Sequence, residues 1–162
     1  MTATKKRAII DMDNATKIYF SIADSFLDDG QIESIWAIPL EGNLFQIDNI
    51  PFYAKNISYG DIVLCDEIDN RQLFKSIVHE SGNSTIRVVA YNESRVKEYR
   101  DAFRVLGCDS ELSDLENLFS LNVPVRIDYK TIWIILEEGL KGDLWDYEEG
   151  CISAKHSIDL GI

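Results

Sequence analysis

Carboxylates, two histidines and three cysteines are the side chains through which this sequence could do chemistry. In Asp61-Ile62-Val63-Leu64-Cys65-Asp66-Glu67-Ile68-Asp69, four acids bracket an apolar run. Two of them could share a divalent cation or trade protons with a substrate. Acids at strand ends and turns are more often solvated caps, and no His or Lys accompanies these four. His79-Glu80-Ser81 sets a base, an acid and a hydroxyl side by side, but neighbours on a strand point to opposite faces, so they cannot form a triad. His79 and His156 stand in no His-Glu-x-x-His pair, and Cys65, Cys108 and Cys151 in no Cys-x-x-Cys pair. Wide spacing and odd number mark the cysteines as reduced, apolar thiols rather than a disulfide framework. Ser81-Gly82-Asn83-Ser84-Thr85 has too few glycines for a phosphate cradle, although Arg87 close by could hold one small anion. No catalytic residue, no metal and no cofactor is expected.

The end of the chain carries more signal. Glu137, Glu138, Asp143, Asp146, Glu148 and Glu149 surround Trp145 and Tyr147. A run of acids is usually a solvated face, yet large aromatics ringed by charge are also what protein interfaces concentrate at their centres. The alternative is that Trp145 and Tyr147 turn inward as alternate residues of a strand. With 28 acidic against 16 basic side chains the formal charge is −12. That balance repels nucleic acid and anionic membrane, whose binders need Lys and Arg, and favours a basic protein as partner.

These residues need elements to position them. Apolar alternation predicts strands over 17–23, 33–40 and 44–48, followed by short strands over 62–65, 73–79 and 85–91. Turn signals separate them at Asp28-Asp29-Gly30, Glu41-Gly42-Asn43, Asp69-Asn70 and Ser81-Gly82. Pro51 lacks a donor and bends the sheet. After Tyr91 the period changes: Val96, Tyr99, Phe103 and Leu106 make one helical stripe that ends at Gly107. A strand over 118–123 stops at Pro124, a helix capped by Asp128 runs over 129–140, and a last strand covers 144–147. The expected fold is α+β, an antiparallel β meander or small barrel followed by a strand-helix-strand-helix unit with both helices on one sheet face. Residues 1–15 read as a loose N-terminal arm, 16–152 as a single domain with a β half (16–91) and a helical half (92–152), and 153–162 as a C-terminal tail. No apolar run approaches the ~20 residues of a membrane helix, and no signal segment precedes Asp11 and Asp13. The expected location is the cytoplasm.

Several landmarks resemble a bacterial family known as domain of unknown function 4265. They are Glu33-Ser34-Ile35-Trp36-Ala37, Asp48-Asn49-Ile50-Pro51-Phe52-Tyr53-Ala54, Gly60-Asp61-Ile62-Val63, the stretch from Ser81 to Val88, Leu106-Gly107-Cys108, and Tyr147-Glu148-Glu149-Gly150-Cys151. The resemblance spans roughly residues 16–152 and brings no catalytic residue with it. Some relatives of this size and acidity are immunity proteins encoded beside secreted toxins, as in contact-dependent growth inhibition. Net charge, the missing catalytic constellations and the acidic–aromatic end lead to the expectation of a non-catalytic acidic protein that neutralises a cognate basic toxin domain of nuclease type. Asp143, Trp145, Asp146, Tyr147, Glu148 and Glu149 are the expected contact residues, with Asp61, Asp66, Glu67 and Asp69 as a second patch. The alternative is a small-molecule-binding domain or small enzyme with its pocket near Ser84, Thr85 and Arg87.

Overall fold

Alternating apolar residues build the first sheet in the computed structural model, which describes residues 14–22 and 31–162. β1 (Thr16–Ser21), β2 (Ile32–Pro39), β3 (Leu44–Ile47), β4 (Ile62–Ile68) and β5 (Arg71–His79) pair antiparallel in sequence order. β1 then meets β5 in parallel, Ile18 opposite Gln72, and closes a five-stranded barrel. Ile18, Phe20, Ile35, Ala37, Phe45, Ile47, Val63 and Cys65 fill it. The β4–β5 hairpin turns on Asp69 and Asn70, both at positive φ (50° and 61°), the geometry that matches the twist of paired strands. The expected turn at Asp28-Asp29-Gly30 and most of the expected N-terminal arm lie outside the described residues.

The second sheet contains β6 (Ser84–Ala90), β7 (Asp109–Leu112), β8 (Leu118–Val123) and β9 (Trp145–Cys151) in the order β7-β8-β6-β9, all antiparallel. α1 (Val96–Val105) links β6 to β7, and α2 (Tyr129–Lys141) links β8 to β9. This is the strand-helix-strand-strand-helix-strand arrangement called ferredoxin-like. Val96, Tyr99 and Phe103 of α1 and Tyr129, Ile132 and Leu136 of α2 share one core with Ile86, Val88, Ala90, Phe119, Leu121, Val123 and Trp145. The α+β class expected from the sequence holds.

Three elements differ from expectation. β6, expected within the β half 16–91, pairs instead with β8 and β9, so the two sheets divide at residues 80–83. β7 is an additional strand at the sheet edge, with β8 as its one strand partner. Residues 153–162, expected as a tail, contain helix α3 (Ala154–Leu160), capped by the Ser153 hydroxyl and seated on the second sheet by fully buried His156.

Candidate functional site

Strand alternation gives the second sheet two unlike faces. Ile86, Val88 and Ala90 of β6 lie under the helices, which leaves Thr85, Arg87 and Val89 on the open face. A segment from the barrel, residues 48–60, crosses that open face. The Glu33 carboxylate accepts the backbone N–H groups of Phe52, Tyr53 and Ala54 at 2.7, 3.0 and 2.6 Å and so fixes the segment's course. Polar contacts then tie it to the sheet: the Thr85 hydroxyl donates to the Ile57 carbonyl at 3.1 Å, the Ser58 and Thr85 hydroxyls meet at 3.0 Å, and Asn49 Nδ2 donates to Glu111 at 3.2 Å.

Arg87 stands at the middle of this face. It is 5% exposed, donates to the Ala54 carbonyl, and lies 3.4 Å from the Glu148 carboxylate. Its Nε has no hydrogen-bond partner. Gly150 makes room for it, since a Cβ there would fall 2.8 Å from the guanidinium carbon. Beside Arg87 opens a groove of about 400 Å³ whose wall includes Phe52, Tyr53, Val89, Tyr91 and Leu118. Asp146 and Glu148 supply its acids. Tyr53 and Tyr91 are 47% and 59% exposed, unusual for aromatic rings that share one concavity.

The family model for the domain of unknown function DUF4265 matches residues 33–147. The chain belongs to the DUF4265 family. A hypothetical protein from Neisseria gonorrhoeae has a similar fold, with a TM-score of 0.73 and 21% identity over 86% of this chain and 95% of that one. No curated protein gave a match. The DUF4265 match contains Glu33, Arg87, Tyr91 and Asp146, while Glu148, Gly150 and α3 follow its end.

The residues expected at a partner surface separate into three groups on this DUF4265 chain. Asp146 and Glu148 reach the open groove, and Asp143 is exposed in the turn before β9. Trp145 does not belong with them. It is 4% exposed, donates from Nε1 to the Leu136 carbonyl at 3.1 Å, and packs edge-on against Tyr99 at 4.9 Å. Tyr147 borders the groove while its hydroxyl donates to Glu137 of α2, and Glu149 turns toward the helices, accepting from the hydroxyl of fully buried Tyr129 at 2.8 Å. The exposed aromatic rings beside the β9 acids are Tyr53 and Tyr91, which approach only through folding.

The second acidic patch also divides. Asp61 is 3% exposed, its carboxylate accepting from the Ser58 and Ser81 backbones at 2.9 and 2.8 Å, so it is a structural brace. Asp66, Glu67 and Asp69 are exposed on the barrel hairpin, on a different sheet from β9. Arg87, which the sequence offers as a holder of one small anion, lies on an interior strand because β6 runs between β8 and β9.

Ser84 and Thr85 cannot line the alternative pocket, since both are fully buried. Ser84 instead meets a partner that sequence reasoning missed. Its hydroxyl lies 2.6 Å from His156 Nδ1, while His156 Nε2 faces the Pro124 carbonyl at 3.1 Å. A carbonyl only accepts, so Nε2 carries the proton and Nδ1 accepts from Ser84. The Ser153 N–H donates to the Ser84 oxygen at 2.9 Å, which completes the set. Although a hydroxyl beside an imidazole resembles a nucleophile and its base, neither side chain has exposed surface for a substrate. Burial, followed by the charge of Lys155, holds the imidazole below the ordinary histidine range and keeps it neutral.

The cysteines offer no reactive thiol. Burial pushes Cys65 up to about 11 and Cys108 up to about 12, and Cys151 is raised by the same cause. Among the described residues no group of three or more His, Cys, Asp and Glu is arranged to hold a metal ion, and no helix is long and apolar enough to cross a membrane.

Proposed function

We propose that this chain is a non-catalytic binding protein whose open groove receives a basic segment of a protein partner. The observation that carries this is the meeting of Asp146 and Glu148 with the exposed rings of Tyr53 and Tyr91 in one concavity. Lys and Arg side chains lay their apolar stems along aromatic faces while their charged ends seek carboxylates. The formal charge of −12 draws such a partner in over longer range. Within this reading the chain is an immunity protein acting in the cytoplasm, and its partner is a basic, nuclease-type toxin domain whose cationic cleft it occupies.

Co-expression with a basic toxin domain encoded beside it is the test. Protection should be lost when Asp146→Asn and Glu148→Gln are combined, with the melting temperature close to that of the native chain. Full protection by that double variant would remove the groove from the interface.

A small-molecule ligand in the same groove is favoured by a different observation, the unpartnered Nε of Arg87. An anionic group turned toward Arg87 and an apolar body against Phe52 and Tyr91 would suit the walls. Native mass spectrometry of freshly purified protein separates the two ligand classes, because only this one predicts a retained adduct that Arg87→Met abolishes.

A further inference from the structure

The segment 48–60 leaves a second, smaller opening at the other side of the same sheet face. It has a volume of about 140 Å³ and is lined by Ile50, Tyr59, Asp109, Ser110, Glu111 and Asn122. Asp109 and Asn122 are opposite one another in the β7–β8 ladder. Asn122 is 4% exposed, and its Oδ1 has no hydrogen-bond partner, an uncommon state for a buried acceptor. Glu111 accepts from Asn49 Nδ2 and from the Ile50 backbone, which leaves part of its acceptor capacity unused.

Around this opening the charge is of one sign. Burial holds the Tyr59 phenol above its ordinary range, with Asp48, Asp109 and Glu111 adding to the effect. Burial, reinforced by Asp48 and Glu33, likewise raises Glu111 despite its two hydrogen bonds. No ion pair among the described residues involves Asp48, Asp109 or Glu111. Arg100, the cation bonded to β7, donates from Nε to the Ser110 hydroxyl at 2.8 Å. It comes from α1, on the helix-covered side of the sheet. The pocket thus combines a spare buried amide oxygen, two carboxylates and a phenol ring, and among the described residues no cation pairs with either carboxylate.

We propose that this pocket binds a guanidinium group, supplied by an arginine side chain of the partner. That the donor comes from a protein rests on the basic-partner reading above, whereas the preference for a guanidinium rests on the pocket alone. A planar fork of N–H groups can serve Asn122 Oδ1 and a carboxylate together while its face lies on the Tyr59 ring. A compact ammonium has no such plane and is more strongly hydrated. A magnesium ion demands near-octahedral oxygen geometry and gives up its waters reluctantly, so it is a poor match for an amide and two separated carboxylates.

The experiment is an NMR titration of the full chain with ethylguanidinium, following the Asn122 side-chain amide, with ethylammonium and magnesium chloride at matched ionic strength as comparisons. Ethylguanidinium should shift that amide saturably in the millimolar range, while the other two produce weaker changes. Glu111→Gln should weaken binding about tenfold, as expected for losing one charge-assisted pair. Asp109 is exposed, so Asp109→Asn gives a second variant that keeps its fold, and it should weaken binding in the same direction. A linear, unsaturable shift would overturn the proposal, as would tighter binding of ethylammonium or magnesium, or equal binding by both variants. Saturable ethylguanidinium binding by a chain that protects against no toxin would leave the pocket standing and remove the toxin reading instead.

Discussion

The two faces of the β6–β9 sheet are made by alternate residues of the same strands and yet differ in kind. Under the helices, Ile86, Val88, Phe119, Leu121 and Trp145 form a continuous apolar core, and the Trp145 N–H finds a carbonyl. On the open face, Thr85, Arg87, Ser120 and Asn122 are as deeply buried but polar, and two atoms there, Arg87 Nε and Asn122 Oδ1, lack partners. A sheet that needed only stability would cover both faces with apolar side chains, since an unsatisfied buried polar atom costs about 1–3 kcal/mol. The helix-covered face holds the fold, and the open face keeps its unused bonding capacity beside two grooves.

The contrast is most directly broken by removing the aromatic centre of the covered face. Gly139 passes so close to Trp145 that a Cβ there would lie 2.1 Å from the indole ring, and the glycine itself offers no side chain to fill a void at this point. Trp145→Ala should therefore cost about 4 kcal/mol in chemical denaturation. If instead it left stability intact and abolished partner binding, Trp145 would belong to the interface after all.

Arg87→Met is the matching change on the open face. It keeps most of the stem, removes the donor to the Ala54 carbonyl, and leaves Glu148 free to turn to solvent. A cost of about 2 kcal/mol is expected, half that of Trp145→Ala, because one buried acceptor loses its partner. A stabilising effect would mean that the guanidinium is retained for binding at the expense of the fold.

The difference between the faces also explains what could be read from the sequence. α1 and α2 were legible because their apolar spacing and the Asp128 cap are local signals. β7 was not: Asp109, Ser110 and Glu111 have weak strand preference, and only pairing with β8 makes them extended. α3 has seven residues, too few to hold as a helix alone, and depends on contacts of His156 and Asp159 with distant segments. The acids Asp146 and Glu148 were found from composition. Their face was not, because alternation fixes that neighbours oppose one another and leaves open which neighbour goes inward. The interior place of Arg87 was not legible either, because strand order is a property of long-range pairing.

The Ser84–His156 pair predicts a smaller, pH-dependent effect. The unfolded imidazole titrates at about 6.5, whereas burial and Lys155 hold the folded one lower. Between these values the unfolded chain binds more protons, so the contribution of His156 is full above the unfolded value and is lost as pH falls through the folded one. Thermal midpoints between about pH 7 and pH 5 should fall more steeply in the native chain than in His156→Asn. Parallel curves would mean that the ring is not held neutral. Ser84→Ala at pH 7 should cost about 1.5 kcal/mol by leaving Nδ1 and the Ser153 N–H without their partner.

The finest test lies between two adjacent acids of β9. Glu149 turns toward the helices and accepts the hydroxyl of fully buried Tyr129, while Glu148 turns to the groove and is 58% exposed. Burial, with Glu149 beside it, raises the Tyr129 phenol well above its ordinary range, so that hydroxyl stays protonated and needs an acceptor. Glu149→Ala should cost about 1 kcal/mol and Glu149→Gln, which keeps an acceptor oxygen, much less. Glu148→Ala should change stability by under about 0.5 kcal/mol while weakening a basic partner, increasingly so at low salt where exposed charges are least screened. Equal stability costs at the two positions would place both acids in the structural network and leave Asp146 as the groove's one free carboxylate.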